Sequence, residues 1–416
     1  METHLADWIR NTPTGDEAES ILRTCVHCGF CNATCPTYQL LGDELDGPRG
    51  RIYQIKQMLE GAPPGASTQL HLDRCLTCMN CETTCPSGVR YGRLVDIGRA
   101  IVAERQPRPA LQRLQHALLR GGLTRRWIFD NAVNVGRALR SVLPARLRTK
   151  LPQLRAPGSW PQRTHTHRVL LLNGCVQPAL LPSIDAATAR VLDAVGVQAI
   201  VMARSGCCGA IDHHLDAQAQ AREKARRNID AWWPQIEQGI EAIVINASGC
   251  GAMLKEYPQL LRDDTAYRGK AERVAAMTRD LGEFLRAQQS ALASRVKLAP
   301  DSPLRRVAFH PPCTLQHTQK IRGVVESILT NLGAELVPVA DAHLCCGSAG
   351  TYSLLQPALS TQLRDRKLEN LQRGRPAMIL SANVGCLAQL EGAAEISVRH
   401  WIEWVDMLIN GSSSGL

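Results

Sequence analysis

Aromatic residues make up only 4% of this 416-residue chain, and no nucleic-acid-binding module is recognisable in it. Binding to nucleic acid, which relies on aromatic stacking surfaces, is therefore not expected. No run of 18 apolar residues occurs, which argues against a membrane-spanning helix. The opening residues METHLADWIRN place Asp7 and Arg10 within the one apolar stretch there. They lack the basic start and apolar middle of a secretory signal, so the expected location is cytoplasmic. No G-x-G-x-x-G follows an expected strand, and nucleophile elbow and P-loop are both missing. Acidic residues are scarce in one long segment. Between Arg105 and Arg168 stand 14 Lys and Arg against Asp130 alone, a local charge of +13 within a chain whose net charge is +10. The rest of the chain is slightly acidic, so the basic character belongs to that segment.

What the chain has in quantity is cysteine, with 16 residues. In a reducing compartment a disulfide scaffold is a poor explanation and metal binding a better one. CVHCGFCNATCP supplies Cys25, Cys28, Cys31 and Cys35; CLTCMNCETTCP supplies Cys75, Cys78, Cys81 and Cys85. Both are C-x2-C-x2-C-x3-C-P, the bacterial ferredoxin run, in which three cysteines wrap one cubane and the fourth reaches its neighbour. The expectation is crossed ligation. Cys25, Cys28, Cys31 and Cys85 take one [4Fe–4S] cluster, and Cys75, Cys78, Cys81 and Cys35 take the other. Structural zinc prefers two C-x2-C knuckles per site and fits this spacing poorly. Gly29 suits a tight turn in the first run, and Arg23, Arg74 and Arg90 flank the runs either as tuning charges or as solvated surface. The 39 residues between Cys35 and Cys75 contain Ile52, Ile55 and Leu59 at helical spacing. That insertion points to a helical ferredoxin module.

From Arg168 onward the chain repeats itself. RVLLLNGC matches RRVAFHPPC, RSGCCGA matches AHLCCGSAG, and NASGC matches ANVGC. Cys175, Cys207, Cys208 and Cys250 recur as Cys313, Cys345, Cys346 and Cys386 at offsets of 138, 138, 138 and 136 residues. Matching intervals in register mark two copies of one domain. In the first copy, strands over RVLLLNG, VQAIVMA and EAIVINA alternate with helices over Ala186–Val195 and Asp216–Gln238. In the second, RRVAFH, AELVPVA and AMILSAN alternate with Ile321–Leu332 and Leu359–Gln372. Such alternation predicts a mostly parallel, helix-covered sheet whose strand ends gather each copy's cysteines on one edge. Adjacent cysteines such as Cys207 and Cys208 diverge too much to cap one tetrahedral ion. They suit bridging metals, an atypical cluster, thiol–disulfide chemistry or inert buried thiols. His213, His214 and His310 stand near these cysteines and read as hydrogen-bonded structural histidines.

At these residues the chain resembles a known family, the iron–sulfur subunits of bacterial glycolate oxidase (glycolate dehydrogenase). CVHCGFCNATCPTYQLLGDELDGPRGRIY, HLDRCLTCMNCETTCPSGVRY, NIDAWWP, ASGCGA, HLCCGSAGTY and SVRHWIE carry the resemblance over nearly the whole length. Cysteine spacing alone equally admits the iron–sulfur subunit of anaerobic glycerol-3-phosphate dehydrogenase and heterodisulfide-reductase-like proteins. The fold expected is α+β multidomain: a helical 2[4Fe–4S] ferredoxin-like domain over 1–105, a basic amphipathic linker over 106–166, and two repeated α/β cysteine-rich domains over 167–295 and 304–410. The resemblance implies a subunit of an oxidoreductase with no catalytic residue of its own. It implies FAD on partner subunits that oxidise glycolate to glyoxylate, with electrons passing through two [4Fe–4S] clusters here to a quinone. The same subunit for another 2-hydroxy acid or glycerol 3-phosphate, and a thiol–disulfide enzyme, are the alternatives. The repeat resembles the CCG domain of heterodisulfide reductases, whose pattern ends in C-x-x-C. Ala247 and Asn383 stand where the first of those cysteines would fall, so each copy is one ligand short. The basic segment suits an anionic membrane surface, an acidic partner or a solvated linker, and the first of these implies a peripheral place on the cytoplasmic face of the inner membrane.

Overall fold

Thr12 closes the first helix by accepting a hydrogen bond from the Gly15 amide at 3.0 Å, and Pro13 follows at the first helical position. That pairing pre-forms the start of α1 (Pro13–Thr24). The computed structural model describes residues 1–144, 148, 151–296 and 298–411. Residues 145–147 and 149–150 of the expected linker lie outside them. The chain forms two compact units, one of 1–116 with 343–364 and one of 117–342 with 365–416.

The first unit is helical. Both cysteine runs are irregular loops leading into short helices, α2 (Phe30–Ala33) and α6 (Asn80–Thr84), and Pro36 opens α3 (Pro36–Leu41). The spacer is α4 (Pro48–Leu59), whose Ile52, Ile55, Met58 and Leu59 are buried as the helical spacing predicts. It packs on α7 (Tyr91–Arg105) through Leu94, Val95 and Ile101. The two helices approach so closely that a Cβ on Gly98 would lie 2.6 Å from Ile55 Cγ1. The glycine is thus required there for packing. The turn GAPPG separates α4 from α5 (Ala66–Asp73), a helix that lacks the spacing by which α4 is legible. Within the basic stretch expected as an amphipathic linker the chain forms α8 (Ala110–Thr124) and, in the second unit, α9 (Arg126–Ala138).

The second unit holds two four-stranded sheets. The first comprises β1 (His167–Leu171), β2 (Val197–Val201), β3 (Ala242–Ile245) and β4 (Thr278–Asp280), in the order β2-β1-β3-β4. The other comprises β5 (Arg306–His310), β6 (Glu335–Leu336), β7 (Met378–Ser381) and β8 (Ser397–His400), in the equivalent order β6-β5-β7-β8. Every pairing is parallel. Parallel strands buried on both faces read as near-continuous apolar runs, as in AIVI and in MIL before Ser381. Helices Ser183–Ala194 and Gln218–Glu237 cover the first sheet, and Trp232, Trp401 and Trp404 are fully buried in the unit. Three expectations are corrected. The strand over AELVPVA shrinks to Glu335–Leu336, because Pro338 has no amide to continue the ladder. The helix expected from Ile321 starts at Val324, after Gly323 takes φ +69°. Finally, β4 and β8 each supply a fourth strand that the pattern did not disclose.

In both sheets the strand order reverses at the first strand, between β1 and β3 and between β5 and β7. The crevice at such a reversal, beyond the carboxyl ends of the strands, is where open α/β sheets bind ligands. Cys175 and Cys250 follow β1 and β3, and Cys313 and Cys386 follow β5 and β7.

Candidate metal centres

In the first run His27 and Gly29 both take left-handed backbone angles, φ 58° and 85°; in the second Thr77 and Met79 do the same, φ 50° and 59°. Non-glycine residues pay for such angles, so their recurrence at the same positions reflects a demanded loop shape. The loops turn their cysteines inward onto two cavities. Cys25, Cys28, Cys31, Cys81 and Cys85 line one. Cys35, Cys75, Cys78 and Cys81 line the other. Each cavity thus receives the fourth cysteine of the opposite run, and the two share Cys81, Pro48 and Tyr91.

Burial and neighbouring thiols push Cys31 up to about 11 and Cys81 well above the usual thiol range. Cys75 departs in the other direction: burial opposes it, but the guanidiniums of Arg51 and Arg99 hold it below the ordinary value. Arg51 is buried and its Nη1 lies 3.9 Å from Cys35 Sγ. It also donates to the His71 carbonyl at 2.7 Å and contacts Asp46 at 3.3 Å. Tyr91 Oη lies 3.5 Å from Cys75 Sγ. Sequence reasoning missed Arg51, Arg99 and Tyr91; a charged residue beside Ile52 and Ile55 on the spacer helix was the available signal. The arginines it named are paired with carboxylates instead: Arg23 with Glu19 at 2.9 Å, Arg74 with Asp46 at 2.8 Å and Arg90 with Glu17 at 3.7 Å. Gly29 makes the expected turn, and a side chain there would strike Arg49 Nη1 at 2.7 Å.

The first unit also contains residues 343–364. Asn80 Nδ2 donates to the His343 carbonyl at 3.4 Å, beside Met79 and Cys81 of the second cavity, and burial raises the Tyr352 hydroxyl above its usual range. The Cys345 loop therefore lies beside the second cavity, a neighbourhood that spacing did not reveal.

In the second unit Cys175, Cys207, Cys208 and Cys250 meet as a chain of thiols beyond β1, β2 and β3. Cys207 interacts with both Cys175 and Cys208, and Cys208 with Cys250. The hydrogen bonds from its two neighbours hold Cys207 well below the usual thiol range, with Lys224 assisting against burial. The same contacts raise Cys175 and Cys208. Asn228 Nδ2 and Tyr257 Oη donate to the Cys207 and Cys208 carbonyls, each at 3.0 Å. In the second copy Asn383 occupies the place of the missing cysteine, and its Nδ2 lies 3.6 Å from Cys386 Sγ. His310 corrects the sequence reading: it is buried and neither ring nitrogen has a hydrogen-bond partner among the described residues. His213 is satisfied, with Nδ1 2.8 Å from Gln218 Oε1.

No helix among the described residues is long and apolar enough to cross a membrane. Residues 21–89 match the 4Fe-4S dicluster domain family, and residues 169–255 and 307–391 each match the cysteine-rich CCG domain family. Along the whole chain, it is 53% identical over 411 residues to the glycolate oxidase iron–sulfur subunit of Escherichia coli (strain K12), covering 98% of this chain and 99% of that one. It is 31% identical over 406 residues to the probable glycolate oxidase iron–sulfur subunit of Bacillus subtilis (strain 168), covering 90% and 89%. Lactate utilization protein A of Exiguobacterium sp. is 26% identical over 226 residues, 54% of this chain and 89% of that one. Thiolate is the donor that iron–sulfur clusters require, and two thiol-lined cavities within a dicluster domain fit two of them. The chain is an iron–sulfur electron carrier.

Proposed function

The chain belongs to the family of glycolate oxidase iron–sulfur subunits, and on that premise we propose that it relays electrons from glycolate oxidation towards a quinone. Cys25, Cys28, Cys31 and Cys85 hold one [4Fe–4S] cluster and Cys75, Cys78, Cys81 and Cys35 the other. When bound, the clusters supply one-electron transfer. The observation that carries this reading is that each thiol-lined cavity draws its fourth cysteine from the opposite run. Crossed ligation of this kind holds both runs in one body and sets the two centres side by side. Arg51 and Arg99 place positive charge at the Cys75 side, which favours the reduced state there. The chain's own residues bind and tune; the oxidation of glycolate to glyoxylate belongs to FAD-binding partner subunits.

The complex sits against an anionic membrane surface through the basic segment. Leu111, Leu114 and Leu118 lie on one face of α8 and are 77%, 55% and 65% exposed. Trp127 and Val135 on α9 are 68% and 58% exposed. Exposed apolar side chains among a surplus of arginines match a lipid interface in both polarity and charge.

Anaerobic purification with iron and sulfide counted per chain tests the relay. About eight irons are expected for two cubanes. Glycolate should reduce the clusters only when the flavoprotein subunits are present. Reduction by lactate or glycerol 3-phosphate but not by glycolate would overturn the substrate, and a colourless, sulfide-free protein would overturn the relay.

A further inference from the structure

Beyond the carboxyl ends of β1 and β2 the second unit opens into a cavity of about 1070 Å³ with Cys175 and Cys207 among its lining residues. Six cationic side chains line it and three carboxylates oppose them. Two of the six are matched: Arg126 pairs with Asp130 at 3.4 Å, and Lys224 with Asp212. The third carboxylate, Glu223, faces Arg226 at 3.7 Å. The remaining four, Arg120, Arg125, Arg204 and Arg227, have no ion-pair or hydrogen-bond partner for their guanidiniums among the described residues. They come from separate stretches of chain: the α8–α9 segment, the loop after β2, and the helix Gln218–Glu237. Arg120 is half-buried and Arg125, Arg204 and Arg227 are exposed, and all four border the one opening.

The loop that carries Arg204 is fixed. The Gly206 amide donates to Asn228 Oδ1 at 2.8 Å, and Asn228 Nδ2 donates back to the Cys207 carbonyl at 3.0 Å. The Arg227 guanidinium lies against this loop, 3.7 Å from where a Gly206 Cβ would stand. Convergent like charges repel, and the arrangement costs free energy that an anion relieves. Guanidinium forks pair two-pronged with carboxylate and phosphate oxygens. The volume reaches the upper range of small-molecule sites, roughly 300–1,000 Å³, and the exposed ring of Trp127 stands at its edge.

We propose that this cavity binds a small, multiply charged oxyanion, a polycarboxylate or polyphosphate, beside the Cys175–Cys207 thiol pair. The site goes beyond the electron relay, because it is built wholly within the second unit and uses none of the eight ferredoxin cysteines.

The test titrates the intact, cluster-loaded chain with tripolyphosphate and with citrate, and with acetate as a singly charged control, by calorimetry at about 0.1 M salt, where surface attractions beyond ~10 Å are screened. One saturable site for a multiply charged probe is expected, with acetate far weaker. The double variant Arg204→Ala/Arg227→Ala should weaken binding by about tenfold or more, with visible absorbance and sulfide content unchanged. Arg120→Ala/Arg125→Ala, on a different stretch of chain, should do the same and serves if the first pair does not fold. The proposal is overturned if neither probe saturates, if several weak sites appear that salt abolishes, or if a folded double variant binds as the parent does. A chain with two intact clusters and no anion site would refute this inference and leave the relay standing.

Discussion

The Arg51 guanidinium lies 3.9 Å from the Cys35 sulfur inside the first unit, with Arg51 only 1% exposed. A buried cation beside a thiolate ligand favours an added electron, since reduction makes the neighbouring site more negative. Arg51→Gln should therefore lower the potential of the centre proposed for Cys35, Cys75, Cys78 and Cys81. A shift of about 60 mV would correspond to ~1.4 kcal/mol for one electron. Arg51→Lys should retain much of the effect. A redox titration followed by paramagnetic resonance resolves the two centres, and an equal shift in both would refute the local argument.

The proposed crossed ligation predicts opposite outcomes for two serine variants. Cys85 lines the cavity of Cys25, Cys28 and Cys31, while Cys35 lines that of Cys75, Cys78 and Cys81. Cys85→Ser should damage the centre built on the first run, and Cys35→Ser that built on the second. Each variant should hold roughly half the parent's intact cluster signal. If each serine instead damaged the centre of its own run, the ligand sets would have to be redrawn.

The dicluster domain and the repeat were legible because cysteine spacing and internal periodicity are properties of the chain itself. α4 was legible because Ile52, Ile55 and Leu59 recur on one face. Arg51 was not, because an arginine on a helix reads as solvent-facing until the packing of α7, Asp46 and Cys35 encloses it. β4 and β8 were hidden because TRD and SVRH are short and carry charge, and they are strands only through pairing with β3 and β7. His310 was misread because whether a buried ring finds a partner depends on neighbours distant in sequence. Four arginines without ion-pair partners among the described residues meet at one cavity because β1, β2 and the helix Gln218–Glu237 bring separated residues together.

His400 caps the helix Trp401–Asn410, its Nδ1 accepting from the Ile402 amide at 3.2 Å, and is fully buried. Burial, opposed by Glu403, lowers its pKa from 6.5 to about 4. The unfolded chain then binds a proton that the folded chain does not, so stability rises with pH across this window. The contribution is complete above pH 6.5 and is lost as pH falls through about 4. The loss approaches roughly 3 kcal/mol, at 1.36 kcal/mol per unit. His400→Asn keeps a capping side chain and removes the titration. Its thermal midpoint should fall less than the parent's between pH 6.5 and 4.5, measured anaerobically, and parallel curves would show that another group governs acid sensitivity.

Leu111, Leu114 and Leu118 offer the sharpest test of the proposed membrane contact, because they repeat at helical spacing and remain largely exposed. Burying a leucine side chain gains about 1.5–3 kcal/mol, and each basic residue near an anionic surface adds about 1 kcal/mol. Leu111→Glu/Leu118→Glu removes two apolar contacts and introduces two repelled charges. Partition onto vesicles rich in phosphatidylserine should fall by at least about tenfold, which is only ~1.4 kcal/mol. Cluster content should be unchanged, since neither leucine lines a thiol cavity. The parent should bind these vesicles more weakly as salt rises and should bind neutral vesicles poorly. Equal binding to neutral and anionic vesicles, or a variant that binds as the parent does, would assign the basic segment to some other task.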